Sequence, residues 1–129
     1  MVINSGPELK SIRKNEVLNC LKERMIELMN LLVIDFEFSV FIGYGRPRFF
    51  FPEIIEVGAV LLKPPYKEKE LPYQTFVKPR YFPRITQECT DITLIKQKDV
   101  DGGVDLAVVI DSLLQRYDNQ TYFASWGTA

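Results

Sequence analysis

A chain of 129 residues, 47% hydrophobic and 12% aromatic, has apolar material for one globular core, so a single domain is expected. Sixteen Lys and Arg against 17 Asp and Glu give a net charge of −1, so any surface for a polyanion must be local. No histidine occurs, which excludes a histidine-based triad or a histidine-ligated metal within these residues.

Ser5 and Glu8 have the spacing of a capping box, and Leu18, Leu21, Met25 and Leu28 recur at helical intervals. An amphipathic helix is expected from Glu8 to Met29, packing against the following domain or, alternatively, binding a partner. Residues 1–30 thus read as a helical extension and 31–129 as the main domain. The start, Met1 to Glu8, is polar and has no apolar core of a secretory signal. The run Leu31–Ile34 is too short to span a bilayer. Cys20 and Cys89 fall on separate predicted elements with no metal-ligand spacing around them. Reduced thiols in a soluble, cytoplasmic protein that contacts no membrane are the expectation.

Leu31 to Phe36 is a short apolar run without alternation, the pattern of a strand buried on both faces. Gly43, Gly45, Pro47 and Pro52 mark residues 40–52 as a loop. Glu53 to Leu62 and Tyr73 to Val77 read as two further strands around a polar turn. Thr86 is placed to cap a short helix. Asp101-Gly102-Gly103 is a break, and Leu106, Ile110, Leu113, Leu114 and Tyr117 form a helical stripe. Thr121 to Ser125 reads as a fourth strand. The order describes an α/β domain: a meander of three strands, then helices, then a returning strand in a mixed sheet.

The chemistry is concentrated at Asp35-Phe36-Glu37. Residues i and i+2 of a strand face the same way, so the two carboxylates converge at the sheet edge where α/β proteins place ligands. Paired carboxylates repel unless a cation joins them, and their oxygens suit Mg²⁺ or Mn²⁺. The plain alternative is two solvated acids at a strand end.

The flanking residues add a resemblance. Val33-Ile34-Asp35-Phe36-Glu37-Phe38-Ser39 resembles the first motif of the DEDD 3′–5′ exonucleases, an Asp-x-Glu on the first strand. Phe50 to Val60 resembles that family's second strand, and Thr75 to Pro79 its third. Cys89-Thr90-Asp91-Ile92-Thr93 is similar to its Cys-Thr-Glu-Leu-Thr stretch, with Leu94 where a glycine usually follows. Ala124 to Gly127 resembles the approach to the second motif. Five segments in order, from Leu31 to Ala129, identify a DEDDh-type member of the group that holds RNase T and the DNA polymerase III epsilon subunit. Within it the nearest resemblance is to KapD-like proteins of spore-forming bacteria and to histone-mRNA and small-RNA exonucleases.

The resemblance implies an RNase H-like sheet and hydrolysis of single-stranded RNA or DNA from the 3′ end. It implies two Mg²⁺ or Mn²⁺ ions, about 3.5–4 Å apart, held by four acids. Asp35 and Glu37 would be the catalytic metal ligands, with the backbone near Phe36, Phe38 and Ser39 passing the terminal nucleotide. The second-motif Asp is expected just after Trp126-Gly127, where Thr128 and Ala129 stand, and the family's general-base histidine has no counterpart. The sequence is therefore expected to be truncated, to lack the helices and strand that complete the sheet, to be inactive or nearly so by itself, and to be able to self-associate through exposed sheet surface. A catalytically dead module that binds nucleic acid or another partner is the alternative. A haloacid-dehalogenase-type phosphatase also places an Asp after its first strand, but its chemistry needs a second Asp where Glu37 stands.

Arg46, Arg48 and Phe49 interleave cations with aromatic rings, as single-stranded nucleic acid requires, although such rings also anchor long loops. Anchoring is the reading for Phe50 and Phe51. Lys78 and Arg80 are read as a solvated loop within reach of a phosphate backbone. Glu56 is expected to be hydrogen-bonded rather than a metal ligand. Trp126 is either a nucleotide contact or a buried core residue.

Overall fold

The computed structural model describes residues 14–66, 72–116 and 120–126. The capping pair Ser5 and Glu8, and Tyr117 of the helical stripe, lie outside them. Helix α1 spans Lys14–Ile26 and stops three residues short of the expected Met29. Its Val17, Leu18, Leu21 and Met25 all stand exposed, so the stripe does not pack on the sheet. At its end, Met25, Leu28 and Met29 line a shallow groove with Gln120 and Tyr122. No described helix is long and apolar enough to cross a membrane.

Strand β1 covers Asn30–Phe38, two residues beyond the apolar run. Strand β2 covers Ile54–Leu62 and β3 covers Tyr73–Phe76. Three helices follow: α2 (Gln87–Thr93), α3 (Gln97–Asp101) and α4 (Leu106–Gln115). Strand β4 is Thr121–Ser125. The sheet order is β3-β2-β1-β4. β2 runs antiparallel to both β1 and β3, and β4 returns parallel to β1. This is the expected meander, closed by the parallel strand that a helical crossover permits.

Alternation in β2 explains the core. Ile55, Val57, Ala59 and Leu61 are buried, while the intervening residues are half-buried. Val57, Ala59 and Leu61 meet Leu32 and Ile34 of β1, and Val109 and Leu113 of α4 cover them. Each such aliphatic side chain, fully buried, contributes about 1.5–3 kcal/mol.

The expectation that β1 is buried on both faces is corrected. Helix α4 covers one face, whereas Val33 on the other is 37% exposed. Helices α2 and α3 do not cover Val33; Cys89 of α2, Ile95 of the link between them and Val100 of α3 form a separate cluster with Ile55. A register shift at Glu37/Phe38 skips Ile55 and sets Ile54 opposite Phe38, so that Ile54 packs on the Val57 cluster and Ile55 on the other.

Thr86 caps α2 as expected, its hydroxyl accepting the Cys89 N–H at 3.1 Å. The same hydroxyl donates to the Val40 carbonyl at 3.1 Å and so ties α2 to the end of β1.

Candidate active site

Asp35 and Glu37 occupy alternate positions of β1 and share the open face of the sheet. Their partners on β2 are Gly58 and Glu56. Gly58 matters by what it lacks: opposite Asp35 it presents no side chain, and the space a Cβ would fill is empty. The result is a cleft of about 170 Å³ lined by Asp35, Glu37, Glu56, Gly58 and Gln74. Gln74, on β3, donates from Nε2 to Oε1 of Glu56.

The carboxyl of Glu37 is held above the ordinary glutamate range. Partial burial is the largest cause, followed by the charges of Asp35 and Glu56. Like-charged carboxylates with their oxygens toward one cleft fit a hard divalent cation, which would relieve that repulsion. Among the described residues no group of three or more Asp, Glu, Cys or His is arranged around one point. The fit is therefore to the Asp35–Glu37 pair, with Glu56 bound to Gln74 instead of reaching the same centre. Sequence reasoning expected Glu56 to be hydrogen-bonded and missed its partner; Gln74 becomes visible only once β3 is set in register with β2.

The other predicted site residues divide. Phe36 turns to the covered face and packs against the core. Phe38 is 44% exposed, its ring 6.3 Å from that of Phe36. Ser39 is buried. Its hydroxyl accepts the Glu53 N–H at 2.9 Å, and its own N–H donates to the Glu53 carbonyl at 2.8 Å. Arg46 and Arg48 are exposed, each guanidinium 5.3 Å from a ring centroid, of Phe50 and Phe49 respectively. Phe49 is exposed, and Phe50 is half-buried between Phe41 and Phe82. Phe51, expected as an anchor, packs on Phe82 and Tyr81 yet remains 47% exposed. Trp126 is not a core residue: it is 95% exposed.

Glu53 has a role the sequence did not disclose. Its carboxylate accepts the backbone N–H groups of Arg80 (2.8 Å), Tyr81 (3.1 Å) and Phe82 (2.7 Å). One residue before β2 thereby fixes the loop after β3.

A mixed sheet with two carboxylates on its second-to-edge strand, facing an open cleft, defines a nuclease-type α/β domain. Residues 32–125 match the RNase T family of exonucleases, and the chain belongs to that family, in its DEDDh 3′–5′ exonuclease group. The probable 3′-5′ exonuclease KapD of Bacillus subtilis is 39% identical over 100 residues, which cover 76% of this chain and 47% of KapD. This chain thus spans about half of that relative's length. A 3′-exonuclease solved in specific recognition of the histone mRNA stem-loop superposes with a TM-score of 0.64 at 26% identity, covering 78% of this chain and 47% of its own. The nuclease domain of 3′hExo, a DEDDh family member bound to rAMP, gives 0.61 at 26% identity, over 76% and 50%.

Proposed function

We propose that this domain removes nucleotides from the 3′ ends of single-stranded RNA or DNA, with Asp35 and Glu37 as metal ligands. The observation that carries the reading is the convergence of the two carboxylates in a cleft beside Glu56, on the strand where the family signature begins. Divalent ions bound there, Mg²⁺ or Mn²⁺, would supply acidification of the attacking water and neutralisation of charge on the scissile phosphate. The chain's own residues set the geometry. Asp35 and Glu37 project from β1 just past its last pair with β4 at Ile34, where the strand is held by β2. Gly58 leaves room opposite Asp35, and Gln74 holds Glu56 aside.

Residues 1–129 contain no histidine, and Thr128 and Ala129 stand where the family's second Asp is expected. Two carboxylates hold a divalent ion weakly, and a general base has to come from elsewhere. We therefore expect residues 1–129 alone to hydrolyse nothing or almost nothing. The free thiols Cys20 and Cys89 fit a cytoplasmic setting, where we place the protein.

The test incubates 3′-labelled single-stranded RNA and DNA with Mg²⁺ or Mn²⁺, using this chain and its Asp35→Ala, Glu37→Ala double variant. The expected result is no shortening by either. Shortening that the double variant abolishes would overturn the inactivity claim. Appending the second half of a relative such as KapD is expected to produce shortening that depends on Asp35 and Glu37; failure there would sink the exonuclease reading.

A further inference from the structure

Charge is unevenly distributed. Residues 40–52 and 77–86 carry five cations, Arg46, Arg48, Lys78, Arg80 and Arg84, and no carboxylate, in a chain whose acids outnumber its bases. The two loops are far apart in sequence, and the structure joins them. Phe50 packs tilted against Phe82 at 5.1 Å between centroids, and Phe51 meets Tyr81 and, edge-on, Phe82 at 5.5 Å each. The Glu53 carboxylate, bonded to three N–H groups of residues 80–82, locks the second loop to the end of the first.

All five cations are exposed. Exposed rings alternate with them: Phe49 beneath Arg48, and Tyr81 beneath Arg80 at 5.8 Å. Tyr44 stands fully exposed between Gly43 and Gly45, whose φ values of 91° and 87° make the turn that presents it. A cleft of about 780 Å³ opens between the end of the first loop, the second loop and the start of α4; Phe38, Phe51, Lys78, Arg80 and Tyr81 line it, with Asp105 and the Glu53 carboxylate that the second loop's N–H groups already engage. Phe38 adjoins Glu37 in sequence but faces away from the carboxylate cleft, so this is a second site.

We propose that the joined loops form a track for single-stranded nucleic acid, with Lys78, Arg80 and Arg84 taking phosphates and Tyr81, Phe49 and Tyr44 stacking bases. This rests on the reading of the domain as a single-strand nuclease and extends it to the strand lying 5′ of the reacting end. Interleaved cations and rings, on two loops that carry no carboxylate of their own, favour a polyanion that carries flat bases over an acidic peptide, which has no bases to stack.

The test measures fluorescence anisotropy of single strands of about ten nucleotides, and of a dinucleotide, in EDTA so that hydrolysis plays no part. Lys78→Ala/Arg80→Ala/Arg84→Ala is expected to weaken longer-strand binding roughly 10-fold or more, and to lower the salt slope by about 0.7 per cation removed. Dinucleotide binding is expected to change little. Asp35→Asn/Glu37→Gln is expected to retain longer-strand affinity, which separates this claim from the exonuclease reading. Arg84→Glu alone, at an exposed loop position, gives the same direction of change should the triple variant fold poorly. Unchanged affinity in the variants, or equal binding of poly-glutamate by the parent chain, would overturn the proposal.

Discussion

Glu37 on β1 lies directly across from Glu56 on β2 in the antiparallel pair, and Gln74 on β3 bonds the second of these carboxylates. The fold thereby places two like charges face to face. It tolerates this by partly burying Glu37 and favouring its protonated form.

A consequence for stability follows, with a definite sign. A carboxyl whose folded-state pKa is raised adds stability below its unfolded value, and that contribution is lost as pH climbs through the raised value. In the absence of divalent ions, Glu37 therefore weakens the fold at neutral pH. Glu56→Gln removes one opposed charge and still offers Gln74 an acceptor. It is expected to stabilise the chain by about 0.2–1 kcal/mol at pH 7, with the gain vanishing near pH 3. Urea unfolding in EDTA at both pH values checks this; a less stable variant at pH 7 would refute it.

Removal of the Glu53 carboxylate addresses a different link. Three backbone donors at residues 80–82 converge on it, and a hydrogen bond to a charged group is worth about 1.5–3 kcal/mol net of exchange with water. These N–H groups lie near the surface, so water replaces part of the loss. Glu53→Ala is expected to cost about 1–3 kcal/mol and to speed hydrogen exchange selectively at Arg80, Tyr81 and Phe82. Unaltered exchange at those amides would show that the loop is held by its ring contacts instead.

Much of this arrangement was legible in the sequence, because the informative features are local. The β1 carboxylates need only the two-residue period of a strand, and Thr86 needs only its position before α2. Non-local relations were hidden. Gln74 reaches Glu56 through strand register, and Glu53 serves a loop 27 to 29 residues away. Ser39 read as part of a functional motif, yet its hydroxyl is spent on the Glu53 backbone. The exposure of α1 was equally hidden, since helical periodicity identifies an apolar stripe without naming what covers it.

Leu94 shows how a departure from a family pattern acquires a physical meaning. It stands where the resembling sequences carry glycine, and it is the C-cap of α2 with φ at 64°, in the left-handed region. A side chain there costs about 1–2 kcal/mol, and Leu94 is 80% exposed, so little packing offsets it. Its N–H still donates to the Thr90 carbonyl, a bond that glycine would keep. Leu94→Gly is expected to raise stability by about 0.5–1 kcal/mol, after the entropy glycine adds to the unfolded chain. Thermal and urea unfolding measure it, and a loss of stability would mean that the Leu94 side chain makes a contact of greater worth than the strain.

The uncovered sheet surface sets a final expectation. Val33 on β1 is half open, β4 is an edge strand, and Tyr122, Phe123 and Trp126 expose apolar area along it. An exposed apolar surface beside the outermost strand of the described sheet can recruit a second copy. We expect residues 1–129 to associate with increasing concentration. Tyr122→Lys, which puts a charge on that edge, is expected to weaken association by roughly 10-fold or more. Sedimentation of both proteins over a hundredfold concentration range distinguishes the outcomes. A parent chain that stays monomeric throughout would show that this edge is protected; association undiminished by Tyr122→Lys would transfer the contact to the exposed stripe of α1, where Leu18, Leu21 and Met25 offer the other apolar surface.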